Sequence, residues 1–307
     1  MATWRFVVLL TMSASTLVDA GLDVAAPWSS IVRSVDRMRA SCELEDGLVP
    51  RAERRFLING WHWHNLVVQL HLRRLADALR DDAPPTAAAV QHAWAYLWDF
   101  SARALGRTET SLFLPWMRSV LPDRHGPAVE RLAALCAAEQ ARGVRLAARV
   151  RALGQSQKPL ASSAAVQLRR DCLELRRAIE AKHSHALALA VPLISANVRA
   201  AEQERFNQRV IASMGAGPSR LHLVGMADVV EALMPVRSTR VPAPARSTLW
   251  PARAGASLGF GLDGDQRAIF RSRIPWVARS MIPRWRSLYA ARAGPLLTAQ
   301  PTPESKG

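Results

Sequence analysis

Four residues in this chain have the side chains and the spacing for metal chemistry. His64 stands in Trp61-His62-Trp63-His64-Asn65-Leu66, Glu109 lies mid-chain, and His183 and His185 form a pair further on. Imidazole with carboxylate suits iron, manganese or zinc. Other chemistries lack their residues. There is no Gly-rich phosphate loop, no GxSxG and no HExxH. Hydrolase and transferase functions therefore have no support; catalysis by a bound metal is conceivable, but nothing identifies a substrate, so a non-enzymatic role is favoured. The cysteines are Cys42, Cys136 and Cys172, an odd number without a CxxC pair. That implies neither a disulfide framework nor a zinc ribbon, and they read as buried free thiols.

Helices must position these residues. Ala and Leu dominate the composition, and β-branched runs are few. The spacing of Leu57, Trp61, His64, Val68, Leu72, Leu75 and Leu79 predicts a helix over about 51–80. Asp81 to Pro85 breaks it, and Thr86 can cap a second helix to about Leu121, which Gly106 and Pro115 can bend. A third helix is predicted over about 128–153 and a fourth over about 161–199, with Pro192 inside and an extension toward Ala212. Long helices with short connections make neighbours antiparallel. The expected fold is all-α: an antiparallel up-down four-helix bundle at about 52–205, within a domain spanning 21–214. Residues 215–307 read as an irregular, partly helical Arg/Pro-rich extension that packs on the bundle and ends in a disordered tail.

Helix geometry says which residues share a level. His64 lies about twelve residues above the start of the first helix, or ~18 Å. Glu109 lies about twelve residues above the lower end of the second, at the same level. On the third helix that level falls between Cys136 and Gln140; Glu130 is lower by roughly six to ten residues. His183 and His185 reach the layer from the fourth helix. They are about 200° apart on a helical wheel, so one should be exposed. His62 points to another face and is expected in solvent. His71 lies ~10 Å along the axis, too far from His64 to share an ion. Glu109, between Leu105 and Phe113, needs a partner on its apolar face. A metal ion or an Arg would serve.

At these residues the chain resembles the hemerythrin-like (HHE cation-binding) domain family over roughly residues 52–205. The first helix has the His followed by spaced leucines, His64 to Leu70. The second is similar to the family's H-x-x-x-E…L-F-P segment, with Glu109 and Pro115 present but Leu105 where the His belongs. The third has Glu130-Arg131 for the usual Glu-His. The fourth runs from His183 to Pro192 without the family's acid. The resemblance implies a four-helix bundle that holds two irons through several His and two bridging carboxylates. Transferred to this chain, it implies a reduced ligand set of His64, Glu109, Glu130, His183 and His185. Iron would then be mononuclear or absent rather than a full diiron centre. Iron or oxygen handling or sensing is the function so implied.

Charge points elsewhere. The formal net charge is +16, almost all from Arg, since Lys158, Lys182 and Lys306 are the only lysines. From Arg237 to Arg292 there are eleven Arg and two acids, Asp263 and Asp265. Such a segment attracts an acidic protein or an anionic surface. Nucleic acid is disfavoured, because Trp276 and Trp285 fit a helix packed on the bundle at least as well as base stacking. A non-enzymatic helical interaction protein with a vestigial metal site is thus the alternative function. Residues 1–20, with Arg5 before an apolar stretch, have the shape of a secretory signal. An organellar targeting segment or a packed helix fits them too, so the compartment stays open. No later stretch has the ~18 apolar residues needed to span a bilayer.

Overall fold

A computed structural model describes residues 55–80, 83–233 and 266–298. The N-terminal signal-like stretch, Cys42 and the Pro-rich part at 234–265 lie outside the described residues, as do the last nine positions. The described chain is all-helical and has no strand. One isolated antiparallel bridge joins Thr86 to Pro159.

Helix α1 is Asn59–Ala78. It begins later than its apolar spacing predicts, because residues 55–58 are non-helical. A continuous helical run, α2, extends from Ala87 to Val120. Thr86 caps it, its hydroxyl accepting from the Ala89 amide. Two stretches of α2, Ala95–Ala102 and Glu109–Phe113, widen to π-helix. The second ends just before Leu114-Pro115. A proline ring ordinarily collides with the carbonyl four residues back, and it lacks the amide donor. The widened turn accommodates Pro115 in an unbroken run. Helix α3 is Gly126–Arg151, α4 is Ser162–Asn197, and α5 is Ala200–Met214. Val198 and Arg199 are extended, so α4 and α5 are separate helices rather than one. Gly215, at φ 73°, ends α5 in a conformation side chains disfavour.

The chain then continues as α6, Ala216–Leu233, within the extension expected to be irregular and partly helical. Helices α7, Gln266–Arg273, and α8, Trp276–Ala293, follow, with a last turn α9, Pro295–Thr298. That turn falls in the expected tail, yet its Leu297 is buried.

Helix α1 is the centre of the packing. Fifteen of its 20 residues are buried, including the polar Asn59, His64, Asn65, Gln69, His71 and Arg74. A helix enclosed on all sides cannot show a single apolar stripe. Helices α2, α4, α6 and α9 all pack against it. Leu66, Val67 and Leu70 of α1 meet Val229 of α6 in a small apolar seam. The larger core runs through α1 to α4 and takes in Phe206, Phe270, Ile282 and Tyr289 from the later helices.

Close approach of α2 and α3 depends on two glycines. A Cβ on Gly143 would lie 1.7 Å from the Trp98 ring, which is buried and stacked on Trp94. A Cβ on Gly106 would meet only the amide end of Gln140, which can swing away. Gly143→Ala should therefore cost about 1–3 kcal/mol by overpacking, and Gly106→Ala much less. Thermal melts of the two variants check this. Equal melting temperatures would contradict the packing described.

Candidate functional site

Three polar clusters sit along α1, and each contains a residue expected to bind metal. The first is built on Glu109, the opening residue of the second π turn. Glu109 is 2 % exposed, and its carboxylate accepts four hydrogen bonds from three donor groups. Lys182 Nζ of α4 lies 2.7 Å from both carboxylate oxygens. Trp61 Nε1 donates to Oε1 at 3.0 Å, and the Cys136 thiol approaches Oε2 at 3.7 Å. On the other side of the ammonium, Glu139 of α3 brings an oxygen to 2.6 Å in an ion pair not aligned as a hydrogen bond. Lys182 and Glu139 are as deeply buried as Glu109.

The electrostatics follow from one cation between two carboxylates. Burial pulls the Lys182 pKa down, but Glu109 and then Glu139 push it up harder, so the ammonium keeps its proton. Burial raises the Glu139 pKa, and the Glu109 charge adds to this against the attraction of Lys182. Burial, followed by the Glu109 charge, pushes the Cys136 thiol well up, and it stays protonated. A buried protonated thiol is an inert group.

The second cluster joins His183 to α1. His183 Nε2 lies 3.0 Å from Nδ1 of half-buried His62, and His183 Nδ1 lies 3.1 Å from Gln69 Nε2. The Trp61 ring packs edge-on against His183 at 5.4 Å. The third cluster is at His64. Its Nε2 lies 3.0 Å from Ser101 Oγ, in the first π turn, and 3.1 Å from Nδ1 of His222 on α6. Phe100 stacks on the His222 ring at 4.4 Å. Wide turns of α2 thus present Ser101 and Phe100 to one cluster and Glu109 to another. Such turns are frequent at functional positions.

The five expected ligands are therefore dispersed. Glu109 pairs with Lys182, His64 with Ser101 and His222, and His183 with His62 and Gln69. Glu130 is exposed on α3 and pairs with Arg118 at 2.8 Å. His185 is buried, and neither ring nitrogen has a hydrogen-bond partner. His183 and His185 are both buried, although one was expected outside. Helix α4 lies between α1 and α3, so opposite faces of it are covered. His62 is half-buried against His183 rather than in solvent. His71 donates to or accepts from the Tyr289 hydroxyl at 2.7 Å.

Among the described residues no three His, Cys, Asp or Glu side chains converge as a metal-binding group. The residues do not fit a carboxylate-bridged pair of irons. Glu109 has both oxygens on an ammonium, and Glu130 faces solvent.

Lys182, Glu139 and His222 escaped the sequence reading. Signals for the first two were present. Lys182 is one of three lysines in a chain with 41 basic residues, and it precedes His183. Glu139 lies inside the 136–140 level where the geometry calls for a partner of Glu109. His222 had no signal, because its segment was not expected to be helical.

The positive charge is concentrated in the last helices. Between Gln266 and Thr298 there are seven Arg and no acid. Arg273 pairs with Glu204 and Arg286 with Asp228, both at 3.2 Å. Arg271, Arg279, Arg284 and Arg292 are exposed, with no carboxylate partner among the described residues. Helix α8 packs inward through Ile282, Tyr289 and Ala293. Trp285 is half-buried, with Arg220 over its ring at 5.7 Å. Trp276, expected to pack inward, is instead 73 % exposed, and Val277 and Leu288 are exposed with it.

No helix among the described residues is long and apolar enough to cross a membrane. No family model, no curated protein and no solved structure matches the chain.

Proposed function

We propose that this is a non-enzymatic helical interaction protein. Its core is an antiparallel four-helix bundle with a vestigial hemerythrin-like metal site, and its basic α8 face docks an anionic partner. The observation that carries the docking function is the outward face of α8, where Arg279 and Arg284 stand with Trp276, Val277 and Leu288 and no acid. Exposed basic charge concentrates anionic partners, and large apolar groups beside it supply contact area. Arg286 is a poor part of this surface, because Asp228 already neutralises it.

The test is binding to vesicles containing a minority of anionic phospholipid and, separately, to polyglutamate. Each Arg near an anionic surface contributes about 1 kcal/mol. Replacing Arg279 and Arg284 by Gln should weaken binding by about thirtyfold. Raising the salt should reduce wild-type binding. Unchanged affinity in the double variant would remove the docking function.

The metal-binding alternative rests on a different observation: the His62–His183 and His64–His222 pairs each bring two ring nitrogens within 3.0–3.1 Å. A structural zinc site has four ligands, so each pair supplies half a set. Its check is the iron and zinc content of protein purified without a metal-affinity tag after growth in iron-replete medium. Stoichiometric metal that disappears in His64→Ala or His183→Ala would establish binding there and displace the vestigial reading.

A further inference from the structure

We infer that Glu109 and Glu139 form a cation site whose resident cation is the Lys182 ammonium, so that metal ions are excluded from this layer by the chain's own side chain. The inference rests on the vestigial reading of the metal site and says what replaced the metal.

The geometry is that of a coordination site with its ion substituted. Two carboxylates from different helices converge on one positive centre at 2.6–2.7 Å. The Trp61 indole and the Cys136 thiol occupy the remaining directions around Glu109. Lys182 is 1 % exposed. The ammonium therefore interacts with these carboxylates and is shielded from bulk solvent. A compact point charge on a flexible stem suits such a position. An entering divalent ion would have to evict the ammonium and leave it buried without counter-ions, which is costly. Without Lys182, the carboxylates would face each other with Cys136 alongside. Oxygen and sulfur donors of that kind take zinc.

The test is made on the full chain with zinc. The chain has three lysines, so Nζ nuclear magnetic resonance of 15N-lysine protein resolves Lys182 directly. The wild type should show one slowly exchanging ammonium signal that one equivalent of zinc leaves in place. Its loss or its merging with solvent-exchanging lysines on adding zinc would overturn the inference. A zinc ion on a His pair would leave the slow exchange intact, so the two outcomes differ. Calorimetric titration then compares variants. Lys182→Met should bind one more zinc than the wild type, with a rise in melting temperature. The variant Glu109→Gln/Lys182→Met/Glu139→Gln should lose that extra equivalent. A Lys182→Met chain that folds only with zinc also supports the inference, and no extra equivalent overturns it. The wild-type measurement decides independently of whether the variants fold. Failure of vesicle or polyglutamate binding would bear on the docking face alone and leave the Lys182 signal unchanged.

Discussion

Acidification from pH 7 to about 5 should unfold this protein. His64, His71, His183, His185 and His222 are buried. Burial is the first cause of a lowered pKa in every one of them. His71 falls to about 3, and His185 and His222 to about 4, while His64 and His183 lie well below the usual value. Neighbouring charges add to this: His222 on His64, His62 on His183, and Arg131 on His185. In the unfolded chain each imidazole takes up a proton near pH 6.5. The folded chain resists until the lowered value is reached. Falling pH therefore stabilises the unfolded state from about 6.5 downward, and the loss saturates only below the folded pKa. At pH 5 each of His71, His185 and His222 costs about 2 kcal/mol. Those three reach on the order of 6 kcal/mol, within the range of a whole domain's stability, and His64 and His183 act in the same direction. Glu139 works in the opposite sense, because its raised pKa lets the folded state bind a proton early. One carboxyl does not offset five imidazoles. Circular dichroism across pH 8 to 4 should show a cooperative loss of helix centred near 5. His222→Phe, which keeps a ring against Phe100, should move the midpoint to lower pH. Helix fully retained at pH 4 would mean that these side chains are not buried neutral.

Lys182→Ala should lose about 3–5 kcal/mol at neutral pH without added metal, because removing one member of a buried ion pair strands its partners. Here two carboxylates are stranded rather than one, and the Ala leaves a space where the stem was. Glu109→Gln/Lys182→Met/Glu139→Gln removes all three charges with similar volumes. Exchanging a whole buried ion cluster for neutral groups is often neutral or stabilising. Urea titrations should therefore place the triple variant close to wild type and far above Lys182→Ala. If the triple variant were as unstable as the single one, packing around Lys182 rather than its charge would carry the effect.

The helices were readable because apolar spacing and breakers are local signals. Asp81 to Pro85 and Thr86 mark boundaries that the structure places within a few residues. The join at Val198 and Arg199 was missed, since no Gly or Pro announces it. Helix levels place Glu109 opposite Cys136–Gln140, a span that includes Glu139, whereas Glu130 has the suggestive motif position but the wrong level. Glu109 was expected to need a buried partner. Its partner is a lysine beside the candidate histidines, and nothing in the spacing distinguished an ammonium from an ion.

By itself the sequence determined the all-helical class, the main helix boundaries, the demand of Glu109 for a positive partner, and the basic character of the C-terminal helices. These depend on side-chain type and on distance along the chain. The tertiary structure decided which faces are covered. Helix α6 and the last turns lie over α1, and α4 lies between α1 and α3. That packing buries His64 against His222, encloses His71 with Tyr289, and buries His183 and His185 together. Burial depends on what arrives from elsewhere in the chain, and a helical wheel carries no information about that.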